Sequence, residues 1–366
     1  YHATKHVSTD IANKKPFAVL LLGVDTGADG RIEKGNSDTM IVAVVNPKTK
    51  KTTMVSIPRD TAAELIGTKE FNMQKINAAY NVGGSDMAIN TVSKLVNVPI
   101  SYYLTINMGA LEKVVNAVGG IDVVVPFSFQ DPYTGNQKFT KGPMHLNGNM
   151  ALAYSRMRHS DPEGDYGRQK RQQQVIKAIL KKAISVGSLG NFTKLMDTIS
   201  KNIATNMSFD DMQSIFLNYR DAAKTVSTDH LQGVNAWVGD GAYQIASDAE
   251  MQRISNKLRT ALGLQTETIS NEETKQNAKN TQFDFKATTD QNYIIFTPYD
   301  WSFKNTRRFH CLRVFLRLNS SFKQVSSGVV PDTTTRNQEQ EWLWLKRYKK
   351  ACLLYTSPSP RDVEES

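Results

Sequence analysis

The stretch RMRHSDPEGDYGRQKRQQQ, residues 156–174, is the densest run of residues able to do chemistry. Arg156 and Arg158 are two apart and share a face if the segment is extended. Arg168, Arg171 and Gln172, at i, i+3 and i+4, share a face near the start of a helix. A helix N-terminus attracts anions and a guanidinium presents a planar fork matched to phosphate oxygens, so four converging arginines read as a pyrophosphate site. A solvated basic helix face has the same letters. The break Asp161-Pro162-Glu163-Gly164, which folds the second pair back toward the first, favours the site. Upstream, Asp25 follows FAVLLLGV, Asp38 precedes TMIVAVV, and Arg59 and Asp60 follow VSI-Pro58. Strand ends and the loops after them are where open α/β sheets bind ligands. Asp25 and Asp38 offer hard oxygens for Mg²⁺, although their spacing is also that of loop or cap residues without a metal. His159 lacks the Ser or Asp partners of a triad, and Gly83-Gly84 and Gly119-Gly120 read as turns rather than nucleotide loops.

These side chains need a rigid frame, and residues 17–264 carry one. Residues 17–24, 39–45 and 52–57 are short and rich in branched side chains, with a hairpin turn at 46–50. Helical spacing at 85–96, an extended 102–106, a helix at 109–118 stopped by Gly119-Gly120 and an apolar strand at 121–125 follow. Beyond an irregular stretch, helices are expected at 149–157, 167–184, 191–203 and 209–223. A strand at 231–238 and a helix at 247–262, N-capped by Ser247, close the domain. Such alternation predicts an α/β fold, a sheet covered by helices. There is no internal repeat.

The ends differ in character. Residues 1–16 read as a stalk, and because the first residue is Tyr1 the chain is expected to be a fragment that has lost any leader or anchor. Residues 265–300, rich in Thr, Asn, Gln and Glu, read as a polar linker. Residues 301–366 have no clear periodicity. They carry 12 Lys/Arg against 6 Asp/Glu, so more than half of the net charge of +10 lies outside the patterned body. Their segment CLLYTSPSPRD reads as a translated sequencing adapter, an assembly artefact, with a basic disordered tail as the other reading. Cys311 and Cys352 also lie there, so the body has no thiol for a disulfide, a zinc site or a nucleophile. The longest apolar runs are far shorter than the roughly 20 residues of a membrane span.

The body resembles the LytR-CpsA-Psr cell-wall ligases of Gram-positive bacteria over about residues 17–262. The motifs that carry the likeness, in order, are LLGVDT (20–26), NSDTMIV (36–42), SIPRD (56–60), KINAAY (75–80), VGGIDV (118–123) and RMRHSDPEGDYGRQKRQQ (156–173). The resemblance implies an extracellular α/β/α sandwich with a central mixed sheet, held at the cell membrane by one N-terminal helix. It implies transfer of a teichoic-acid or capsule-type phospho-glycopolymer from an undecaprenyl pyrophosphate carrier to a peptidoglycan hydroxyl. On this likeness Asp25 and Asp38 hold Mg²⁺ (or Mn²⁺), and Arg59, Lys75, Arg156, Arg158, Arg168 and Gln172 contact the pyrophosphate with Arg171 assisting. Arg59, Arg156 and Arg158 also count among the catalytic set, and Asp165 is the base. Many relatives carry arginines where this chain has Gly27 and Asn36, with Arg31 the nearest replacement. Apolar residues such as Met196, Ile199, Ile203, Met207, Met212, Ile215, Phe216 and Leu217 are expected to be mostly core, with some free to line a lipid tunnel. Two rivals remain: a polyprenyl pyrophosphate hydrolase using the same site, and a non-enzymatic nucleic-acid-binding regulator. The small excess charge of the body and the lack of a helix-turn-helix argue against the second, so no nucleic-acid partner is expected.

Overall fold

The apolar runs at 17–24 and 40–45 have few polar interruptions because their strands are covered on both faces. The computed structural model describes residues 8–24, 35–185, 189–200 and 203–298. Its elements are α1 (Thr9–Ala12), β1 (Phe17–Val24), β2 (Ser37–Asn46), β3 (Lys51–Ser56), β4 (Ala62–Glu64), β5 (Met73–Lys75), α2 (Ala78–Val96), β6 (Tyr102–Asn107), α3 (Met108–Ala117), β7 (Ile121–Val125), β8 (Phe129–Gln130), β9 (Lys138–Phe139), β10 (Gly142–Leu146), α4 (Gly148–Arg156), α5 (Gly164–Ile184), α6 (Leu189–Ile199), β11 (Ile203–Thr205), α7 (Phe209–Asn218), β12 (Thr225–His230), β13 (Gly233–Val238), β14 (Gly241–Ala246), α8 (Asp248–Leu262), α9 (Glu272–Lys279) and β15 (Gln291–Asn292).

The main sheet has the order β11-β6-β1-β2-β3-β12. Strands β1, β2 and β3 run antiparallel in turn, while β6 joins β1 and β12 joins β3 in parallel, so the sheet is mixed. Alternation along β1 separates two cores. Ala18, Leu20, Leu22 and Val24 pack with Val92 and Leu95 of α2 and with Met251, Ile254 and Leu258 of α8. Phe17 and Val19 face the other way, against Tyr219, Ile176 and Ile215. The result is the expected α/β/α sandwich. A satellite core joins α3, α4 and α5 to β7 and β10 through Ile121, Val123, Leu146, Tyr154 and Val175. Among the apolar residues set aside for a tunnel, Met196 and Phe216 stack into a core with Phe192, Met207 and Ile215 support the sheet, and Leu217 is exposed.

Several boundaries moved. Helix α2 begins at Ala78, not 85, with Gly83-Gly84 as a kink inside it; α5 begins at Gly164, not 167; of the stretch 191–203, α6 ends at Ile199 and Ile203 belongs to edge strand β11; the helix expected at 209–223 ends at Asn218; and the strand expected at 231–238 begins at Gly233, flanked by the unexpected β12 and β14. A larger correction concerns residues 265–297, expected as a solvated linker. Ile269, Phe283 and Tyr293 are buried, β15 pairs with β13, and α9 packs against β4. Its polar residues are buried because they bond to backbone. The Gln276 amide brackets Phe296, donating to its carbonyl at 2.8 Å and accepting from its N–H at 2.8 Å, and Asn277 Nδ2 donates to the Ala246 carbonyl at 3.0 Å. Among the described residues no helix is long and apolar enough to cross a membrane.

Candidate active site

The β2–β3 hairpin creates the first half of the site. Its register pairs Ile41 with Ser56, and the ladder continues through Ile57 N–H donating to the Met40 carbonyl at 2.8 Å. Two residues further, the same register sets Arg59 opposite Asp38, and Arg59 Nη1 donates to Asp38 Oδ1 at 2.9 Å. Asp60 lies 3.6 Å from Arg59 Nε and accepts Lys75 Nζ at 3.0 Å. The β4–β5 pairing positions that lysine opposite Ala62, with its ammonium over the Tyr243 ring.

Helix α5 supplies the second half. Asp165 in its first turn touches Arg168 Nη2 at 2.5 Å and accepts Gln169 Nε2 at 2.8 Å. Burial draws the Arg168 guanidinium below its ordinary range, Asp165 and Asp38 counter it, and the charges of Arg59 and Arg158 add to the depression. At Arg59 burial also pulls down, but Asp38, with Asp60 and Asp165 behind it, wins and raises the group. These mutual effects gather Asp38, Arg59, Arg158, Asp165 and Arg168 into one electrostatic cluster. The Nε groups of Arg59 and Arg168 are buried with no hydrogen-bond partner. Buried unpaired donors are costly, and two on neighbouring guanidiniums suit an anionic ligand.

The other expected residues fall in different places. Arg156, the last residue of α4, and Arg158 are exposed. Gln172 Nε2 reaches the Ser155 carbonyl at 3.4 Å. Asp25 lies outside the described residues, as does Arg31. Arg171 is the correction: rather than facing a pyrophosphate, its side chain is 2% exposed and points into the satellite core. It donates to the Tyr154 carbonyl at 3.0 Å, to the Met157 carbonyl and to Asp161, with the Phe129 and Tyr154 rings beside it. The helix period places i and i+3 on one face, but the chain wraps over that face here, so its two arginines meet different surroundings. Residues without an expected role complete the support. Gln173 ties α5 to Ser56 Oγ at 2.8 Å and to the Asp229 carbonyl at 2.7 Å, and the Tyr166 hydroxyl donates to Gln244 Oε1 at 3.0 Å. Both sit inside the arginine-rich motif, which is the only sequence signal that could single them out.

The fold and site together define a mixed α/β/α sandwich with one Arg–Asp pair at the end of its β2–β3 hairpin and a second in the first turn of α5. The profile of the LytR_cpsA_psr family matches residues 1–260. The chain is 45% identical over 260 residues to the polyisoprenyl-teichoic acid–peptidoglycan teichoic acid transferase TagU of Enterococcus faecalis, covering 71% of this chain and 84% of that one. Its fold matches the crystal structure of Bacillus subtilis TagV with a TM-score of 0.62 at 35% identity, covering 69% and 99% of the two chains. It also matches TagT bound to LI-WTA with a TM-score of 0.58 at 28% identity, covering 72% and 96%. The chain belongs to the LytR_cpsA_psr family.

Proposed function

We propose that this protein transfers a phosphate-linked glycopolymer of the teichoic-acid class from a polyprenyl pyrophosphate carrier to a hydroxyl of peptidoglycan. The observation that carries the proposal is a coupled pair of guanidiniums, buried Arg168 and half-buried Arg59, each paired with an aspartate and each with an Nε that makes no hydrogen bond. The name of the Enterococcus relative and the ligand named with TagT point to the same chemistry.

In the proposed reaction the acceptor hydroxyl oxygen bonds to the phosphorus that carries the glycan. The bond from that phosphorus to the bridging oxygen breaks, the polyprenyl monophosphate leaves with the electron pair, and the hydroxyl proton passes to Asp165. Such transfers require little covalent help from protein, so charge neutralisation and positioning dominate. Arg59 and Arg168 oppose the charge growing on the diphosphate, Lys75 adds to the field, and Arg156 and Arg158 reach in from the exposed rim. Asp38 is a hard-oxygen donor with one oxygen on Arg59, and its carboxylate chemistry fits a share in Mg²⁺ binding; Asp25 is the proposed second ligand. When bound, the ion would neutralise phosphate charge. The carrier is a membrane lipid, so the reading places the domain at a membrane surface outside the cell, anchored by a preceding helix.

Incubation with lipid-linked glycan and peptidoglycan fragments tests the reading. A covalent conjugate is expected, and release of phosphate alone would make the protein a hydrolase. Asp165→Asn, which keeps the shape and removes the base, should lower the transfer rate by about 10²-fold or more; wild-type turnover in that variant removes Asp165 from the role.

A further inference from the structure

Strand β13 alternates cleanly. Ala236 is buried, and Val234 and Val238 pack with it against Ile245, Phe283 and Tyr293. Asn235 and Trp237 therefore face solvent, and Trp237 is 42% exposed. The register places Gln244 opposite Asn235 on one flank and Asn292 beside Trp237 on the other. An indole is thus bordered by three carboxamides on a sheet face, and the exposed indole itself has no part in the core of this unit, which lies on the opposite side.

One edge of the face adjoins the candidate active site through Gln244 and Tyr166. Gln244 N–H donates to the Asp60 carbonyl at 2.9 Å, and its side chain accepts the hydroxyl of Tyr166, the neighbour of Asp165, while donating to Asn235. From Gln244 and Asn235 to Trp237 is one strand repeat, about 7 Å, comparable to the length of a sugar ring. We propose that this face, Gln244, Asn235, Trp237 and Asn292 with Tyr166 at its inner end, is the acceptor subsite, and that its ligand is a strand of N-acetylated amino sugars. The flat apolar side of a pyranose stacks on the indole, and carboxamides match its hydroxyl and N-acetyl groups. Amides and an indole rather than cations suit a neutral glycan over a polyphosphate. The subsite's place in the reaction rests on the transferase reading; its glycan binding does not.

Calorimetric titration of the full chain with chitotetraose, a soluble β-1,4-linked N-acetylglucosamine strand, tests it. The wild type should bind, Trp237→Ala should weaken binding about tenfold or more, near 1.4 kcal/mol, and Trp237→Phe, which keeps a ring and strand propensity, should fall between them. Arg59→Ala should bind the glycan as the wild type does while losing transfer. No binding by the wild type, or equal affinity in the folded Trp237→Phe and Trp237→Ala proteins and the wild type, overturns the subsite. Conjugate formation with Trp237-independent binding would sink the subsite and leave the transferase reading standing; Trp237-dependent binding without any conjugate would do the reverse.

Discussion

Arg168 and Arg171 are one residue type, three positions apart on one helix, and they do opposite work. Arg168 pairs with Asp165 one turn back on α5 and feels the charge of Arg59, whereas Arg171 holds residues 154–161 against α5 through two carbonyls and Asp161. The letters reveal that arginines gather here but not which of them is buried, because that depends on where the loop after α4 crosses the helix. The difference is measurable. Arg168→Lys keeps a charge and loses the fork, so the transfer rate should fall about 10²-fold with an unfolding free energy near that of the wild type. Arg171→Met leaves Asp161 buried without its cation and should lower stability by about 3 kcal/mol, seen as a lower urea midpoint. If Arg171→Met unfolds like the wild type and only transfer is lost, Arg171 is a ligand residue after all.

Elements were readable where burial follows apolar pattern: the hairpin at 46–50, the strand at 121–125 and the helix capped by Ser247 all form, with the Ser247 side chain accepting the Glu250 N–H. Two features of the packing were hidden. One is the contact between α5 and the preceding loop, where Gly167 lets Asp161 lie against the helix backbone; a Cβ at Gly167 would sit 2.0 Å from Asp161 Oδ2. Gly167→Ala must displace a carboxylate locked to Arg171, so it should cost on the order of 2 kcal/mol and reduce transfer, despite alanine's better helix propensity. Thermal denaturation decides the sign. The other is α9 and its surroundings, whose composition mimics a linker because carboxamides, not methyl groups, hold it. Gln276→Ala orphans both backbone groups of Phe296 and should destabilise by about 1–3 kcal/mol; an unchanged denaturation curve would return the segment to the status of a passive tail.

At the scale of the whole molecule, that buried polar segment makes stability depend on pH in a way that overall charge does not foretell. Glu273 of α9 is almost fully enclosed between β4 and β14, where Oε1 accepts the Glu64 N–H at 2.8 Å and Oε2 has no partner. Burial pushes its carboxyl up to about 7, and the neighbouring charges of Glu64 and Glu272 add to the rise against the backbone N–H groups of Glu64 and of Glu273 itself. A carboxyl raised on folding holds its proton more tightly in the native state. Its stabilisation is therefore present below the unfolded value near 4.5 and is lost as pH rises through about 7. The interval corresponds to about 3 kcal/mol. Other carboxyls act in a different window and with the opposite sign. At Asp229 burial is outweighed by Arg253 and Lys257, and at Asp211 by donors from Ser8 and Ser208, so both lie below the ordinary range and weaken the fold only in acid. Urea midpoints recorded from pH 5 to pH 8 should fall steadily for the wild type. Glu273→Gln, a neutral isostere that can still accept the Glu64 N–H, should flatten that slope and be the more stable protein at pH 8. Parallel curves for the two proteins would show that the carboxyl is ionised in its enclosure and that α9 is held by its amides alone.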